Sequence, residues 1–153
     1  MYSRQDFMEF ILDHYESPRN KGSLSPASIV MKGGNPGCGD KITLYLRINA
    51  QRQVIEQITF TGEGCTISQA AASLTTSKIK GQSLAYIRTL RASDLLEDFG
   101  PGVMRSRRRC ATLALHTLRA ALTQYLQNQP SLAPITPADE KEVTLLQFER
   151  QNS

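Results

Sequence analysis

Apolar and polar residues alternate most regularly in the first half of the chain. Ile42, Leu44, Leu46 and Ile48 are separated by Thr43, Tyr45 and Arg47, a period of two that turns one strand face to a core and the other to water. Residues 54–61 read as its antiparallel partner, reached through the polar turn Asn49-Ala50-Gln51-Arg52. Residues 28–32 read as a further short strand. Elsewhere the period changes to that of a helix. In 3–15, Phe7, Phe10, Ile11 and His14 or Tyr15 recur at three- and four-residue intervals, with Ser3 as N-cap and Asp6 in the first turn. Residues 66–79, rich in Ala, Ser and Leu, have helical spacing, and 83–90 and 93–99 read as two short helical pieces. After the breaker Gly100-Pro101-Gly102, residues 103–127 form one long helix with Ala111, Ala114, Leu118, Ala121, Leu122 and Tyr125 on a single face. The order predicts an α+β domain over 1–127: a small antiparallel three-stranded sheet packed with helices, ending in the long helix. Residues 128–153 carry three prolines by Pro137 and read as a linker, then a short helix capped by Thr136-Pro137 and running to Glu149.

Composition narrows the class. The chain has 153 residues, 40% of the AVILMFWYC set and 21% charged, which suits a folded domain rather than a disordered chain. No apolar run approaches the roughly 20 residues of a membrane helix. The start, MYSRQDFMEF, lacks the basic segment and apolar core of an export signal, so a cytoplasmic protein without membrane partners is expected. Lys plus Arg is 18 against 14 for Asp plus Glu, a net charge of +4. That is mild for a nucleic-acid binder.

The three cysteines carry more information. An odd number in such a chain argues for free thiols, metal ligation or catalysis rather than a disulfide framework, although a free cysteine is often only a small buried hydrophobe. Cys38 and Cys65 sit in the glycine loops Gly33-Gly34-Asn35-Pro36-Gly37-Cys38-Gly39-Asp40 and Gly62-Glu63-Gly64-Cys65, at the two far ends of the expected hairpin. Antiparallel pairing brings both loops to one edge. Cys65 also opens a helix, whose free N–H groups favour thiolate. Cys110 follows Arg105, Arg107, Arg108 and Arg109, and that positive charge is expected to lower its pKa. Asp40 can add an oxygen to the same centre. Three sulfurs and one oxygen suit tetrahedral zinc, or an iron–sulfur cluster with one non-cysteine ligand. No CxxC pair is present, which disfavours zinc fingers and thioredoxin-like sites. His116, six residues beyond Cys110, projects away from it along the helix.

Four ordered motifs add a resemblance. His14-Tyr15-Glu16-Ser17-Pro18-Arg19-Asn20-Lys21-Gly22, Asn35-Pro36-Gly37-Cys38-Gly39-Asp40, Gly62-Glu63-Gly64-Cys65-Thr66-Ile67-Ser68 and Arg109-Cys110-Ala111-Thr112-Leu113-Ala114 are similar to signatures of the IscU/SufU/NifU amino-terminal family, in family order. The resemblance spans about residues 2–127, and its motif detail is closest to SufU-like members. It implies an iron–sulfur cluster assembly protein that takes sulfur from a cysteine desulfurase and passes clusters to downstream carriers or apo-acceptor proteins. It implies Cys38, Asp40, Cys65 and Cys110 as ligands of Zn2+, of a [2Fe–2S] cluster, or of both, and Cys110 as sulfur acceptor. A hard carboxylate among soft thiolates leaves one corner exchangeable, which suits cargo that must leave. Arg107 stands where family members carry a basic residue. Arg109 stands where IscU proper has histidine, which leans toward the alternative of a zinc-dependent sulfurtransferase relaying persulfide without holding a cluster. Gly100-Pro101-Gly102-Val103-Met104 stands near the place of the IscU chaperone-binding segment Leu-Pro-Pro-Val-Lys, so handoff by that chaperone is not implied. A reading from another class, a zinc-stabilised nucleic-acid-binding module using Arg105 to Arg109, lacks aromatic residues interleaved with the patch.

Overall fold

A computed structural model describes residues 2–36 and 39–128, together with the backbone of 141–144. The first helix, α1 (Arg4–Glu16), starts where expected: the Ser3 hydroxyl accepts the Asp6 N–H at 3.2 Å, and Asp6 accepts the Ser3 N–H at 2.8 Å. Strands β1 (Ile29–Gly34), β2 (Lys41–Asn49) and β3 (Val54–Glu63) then form an antiparallel meander. In β2 the alternation is realised residue by residue, with Ile42, Leu44, Leu46 and Ile48 all buried. Register pairs Leu44 with Met31 on one side and with Phe60 on the other, which gathers the apolar side chains on one face.

That face is covered by two helices, α2 (Thr66–Ile79) against β3 and α6 (Arg108–Gln127) against β1 and β2, while α1 lies on α2. Enclosed in this way, α2 is buried over most of its surface, with Ala70, Ala71, Ala72, Ser73, Thr75 and Thr76 inside. Small residues let its neighbours close in. Strand β1 continues past the expected 28–32 because of one glycine: a Cβ on Gly33 would lie 2.1 Å from Thr117 Oγ1 of α6, so only glycine lets the helix settle there. Between α2 and α6 lie α3 (Leu84–Thr89), α4 (Ala92–Leu95), a 3-10 turn (Glu97–Phe99) and α5 (Pro101–Ser106).

Two expectations need correction. The long helix expected over 103–127 is two helices, because Arg107 leaves helical geometry at φ −130°, ψ 34° between α5 and α6. Arg105 to Arg109 are all exposed and contribute no apolar stripe, so burial does not hold the two helices in one register. The helix expected at 136–149 also differs where it is described: Lys141–Thr144 form β4, a strand parallel to β1 that gives the sheet order β3-β2-β1-β4. A strand there satisfies backbone groups along the free edge of β1. The other residues of that expected helix, and the linker up to it from residue 129, lie outside the described residues. No described helix is long and apolar enough to cross a membrane.

Candidate functional site

Three candidate ligands converge at one end of the sheet. The carboxylate of Asp40, just before β2, and the thiols of Cys65 and Cys110 each offer an atom within 4.8 Å of the others. They come from three places: the β1–β2 loop, the N-terminus of α2 and the first turn of α6. Cys38, two residues before Asp40, lies outside the described residues. Cys65 and Cys110 are free thiols, as expected.

Hydrogen bonds shape the cluster before any ligand is considered. Cys65 is the N-cap of α2, and its Sγ accepts the Ser68 N–H at 3.4 Å. Its own N–H donates to Asp40 Oδ1 at 3.0 Å, joining the two loops directly. The Ser68 hydroxyl lies 3.3 Å from the same Oδ1 and 3.0 Å from the Cys65 carbonyl. On the other oxygen, the Asn35 amide donates to Asp40 Oδ2 at 3.2 Å. Gly64 makes room for this arrangement. At φ +154°, a Cβ on it would lie 2.3 Å from Asp40 Oδ1 and 2.7 Å from Ser68 Oγ.

Electrostatics separate the ligands. Asp40 is almost fully buried, which alone would raise its pKa, yet bonds from the Cys65 N–H, Asn35, the Cys110 thiol and Ser68 outweigh burial and hold it below the ordinary carboxylate value. Cys110 moves the other way. Burial first, then the neighbouring Cys65 and Asp40, push its thiol up to about 12. This corrects the expectation that the arginines lower it: Arg105, Arg107, Arg108 and Arg109 are exposed to water, whereas Cys110 faces the carboxylate from a buried position.

The residues fit a cation. Two thiols and a buried carboxylate drawn from three elements form a soft, partly anionic donor set, and positive charge there would favour release of the Cys110 proton. Neither histidine belongs to the cluster. His14 is buried against α2 with Nδ1 2.8 Å from Ser73 Oγ, and His116 lies half-buried on α6. Sequence reasoning did not single out Asn35 and Ser68. Ser68 was findable as the third residue of a helix that Cys65 opens. Asn35 was not, since one of its partners is the Arg109 carbonyl, 3.2 Å away but remote in sequence.

The chain matches known proteins over the same region. Residues 6–131 match the NifU-like N-terminal domain. The iron-sulfur cluster assembly scaffold protein IscU of Aquifex aeolicus (strain VF5) is 36% identical over 124 residues, covering 81% of this chain and 78% of the relative. The zinc-dependent sulfurtransferase SufU of Bacillus subtilis (strain 168) is 45% identical over 78 residues, 51% of each chain. A solved nitrogen-fixing NifU-like protein (N-terminal) from Brucella abortus shares the fold, with a TM-score of 0.69 and 18% identity over 82% of this chain and 99% of its own.

Proposed function

The chain belongs to the NifU-like N-terminal domain family, and from that premise we propose that it is an iron–sulfur cluster assembly protein, accepting sulfur from a cysteine desulfurase and assembling or relaying it for [2Fe–2S] cluster formation. The observation that carries the reading is the convergence of Asp40, Cys65 and Cys110 within 4.8 Å. Cys38, two residues from Asp40 in the same loop, completes the donor set. Clusters leave for carrier or apo-acceptor proteins, and the exposed Arg107 and Arg109, just before Cys110 in the chain, offer positive charge to an acidic partner surface.

Cys110 is the sulfur acceptor in this reading. Its sulfur attacks the outer sulfur of the desulfurase persulfide, a new S–S bond forms, and the desulfurase cysteine leaves as thiolate. The Cys110 proton passes to water as the thiolate forms, because Asp40, held below the ordinary carboxylate value, is too weak a base to keep it. A thiol held near 12 is a poor nucleophile at neutral pH, so acceptance depends on a cation that favours the thiolate. Zinc, when bound, would supply the charge that holds these groups as thiolates.

A second reading, a zinc-dependent sulfurtransferase that holds no cluster, is favoured by Arg109 at the family's histidine position and by the SufU relative. Anaerobic purification with metal, acid-labile sulfide and visible absorption separates the two. Iron and sulfide in equal amounts, transferable to an apo-acceptor, support the scaffold. One equivalent of zinc that persists after attempted cluster reconstitution, with faster turnover of an added desulfurase, supports the relay. Neither cargo, together with no effect on a desulfurase, sinks both.

A further inference from the structure

Asn35 directly follows β1 and is 4% exposed. Its backbone N–H donates to the Asp40 carbonyl at 3.0 Å, closing the loop that contains Cys38. Its side-chain amide reaches two elements at once: Nδ2 donates to Asp40 Oδ2 at 3.2 Å and to the Arg109 carbonyl at 3.2 Å. Arg109 is the residue before Cys110. One amide group therefore links the carboxylate from the β1–β2 loop to the turn of α6 that presents the buried thiol.

The orientation of that amide is fixed by its surroundings. A carboxylate and a carbonyl only accept, so the NH2 end must face them. Oδ1 then points away, buried and without a hydrogen-bond partner among the described residues. Leaving such an acceptor unsatisfied is unfavourable. The α2 end holds Asp40 by Oδ1, through the Cys65 N–H and Ser68, and Asn35 holds it by Oδ2. The carboxylate plane is thus clamped from both sides.

We propose that Asn35 is a positioning residue for the metal site: its amide fixes the Asp40 carboxylate against the start of α6, so that the carboxylate and Cys110 meet a metal together. The proposal rests on reading Asp40 and the cysteines as ligands. Hydrogen-bond partners of ligating carboxylates typically matter about 10–100-fold in metal affinity.

The experiment uses the full chain, with Zn2+ affinity measured by chelator competition and Co2+ absorption as a spectroscopic readout. Asn35→Leu removes both donors at similar size and is expected to lower Zn2+ affinity about 10–100-fold. It should shift the ligand-field bands of Co2+ while thiolate-to-cobalt bands persist. Placed in an Asp40→Ala background, the same substitution should change affinity by less than about 2-fold, because its target is gone. An equal loss in both backgrounds would mean a merely structural role and overturns the proposal; so does wild-type affinity in Asn35→Leu. If Asn35→Leu does not fold, Asn35→Asp keeps the volume and reverses the donors, and wild-type affinity in that variant is equally fatal. Wild-type protein that binds Co2+ without thiolate bands refutes the metal-site reading itself, and this proposal with it.

Discussion

Two serines on α2 hold buried titratable groups from other elements, with different outcomes. Ser68, in the first turn, meets Asp40 and supports the Cys65 cap. Ser73, near the middle, lies 2.8 Å from His14 Nδ1 and accepts the Arg19 N–H at 2.8 Å. The Ser73 region ties α1 and the loop after it to the core, and the His14 ring packs 4.9 Å from Phe10. The Ser68 region gathers a second carboxylate-bound donor, two thiols and an amide oxygen left without a partner. Burial of an ionisable side chain is therefore common to both. Ligand atoms of compatible softness, converging from separate elements, distinguish the one that can do chemistry.

The largest effect should come from Cys110→Ser. Sulfur acceptance from a desulfurase, read as protein-bound persulfide, falls to background while circular dichroism stays native. Retained acceptance would remove the chemical difference between the two regions. Next, Gly64→Ala forces a Cβ against Asp40 Oδ1 and Ser68 Oγ at a left-handed φ, and should cost about 2–3 kcal/mol in denaturant unfolding and weaken Zn2+ binding. Ser73→Ala leaves the part-buried Arg19 N–H without its acceptor, costing about 1 kcal/mol with Zn2+ affinity unchanged. Ser68→Ala should instead lower Zn2+ affinity. Equal effects on affinity would mean that α2 acts as one structural unit.

The smallest effect is in pH dependence. Burial, then the charge of Arg19, lowers the pKa of His14 below its ordinary 6.5; Lys78 acts in the same direction, while Asp13 and Asp98 oppose it. The unfolded chain therefore binds the proton at higher pH than the native one. Stability is full above about pH 6.5, falls as pH drops through the lowered native pKa, and then levels off. Replacing His14 with Gln should flatten that part of the curve, measured as the difference in melting temperature between the variant and wild type from pH 7.5 to 5. An unchanged curve would show that His14 is not buried neutral.

Much of this was legible in the chain. The alternation over residues 42–48, the Ser3 cap and the boundaries of α2 follow from local periodicity and local hydrogen bonding, and all appear in the fold. The pairing of Asp40 with Cys65 was also readable, since a hairpin returns its ends to one edge. The break at Arg107 was not, because Arg105, Arg107, Arg108 and Arg109 are all good helix formers and packing selects the geometry there. The direction of the Cys110 shift was misread for a related reason. Charges adjacent in sequence were weighed, whereas burial and the carboxylate across the site decide the pKa.

Periodicity, caps and residue types act over a few positions, so they set most of the elements before residue 100 and the inventory of soft and hard donors. Packing alone brings the Asn35 amide to both Asp40 and the Arg109 carbonyl, buries Cys110 beside the carboxylate, and sets α6 close enough to β1 for Gly33 to be required. These depend on how helices and sheet pack. Desolvation and hydrogen-bond geometry vary steeply over an ångström, a scale that local sequence pattern does not encode.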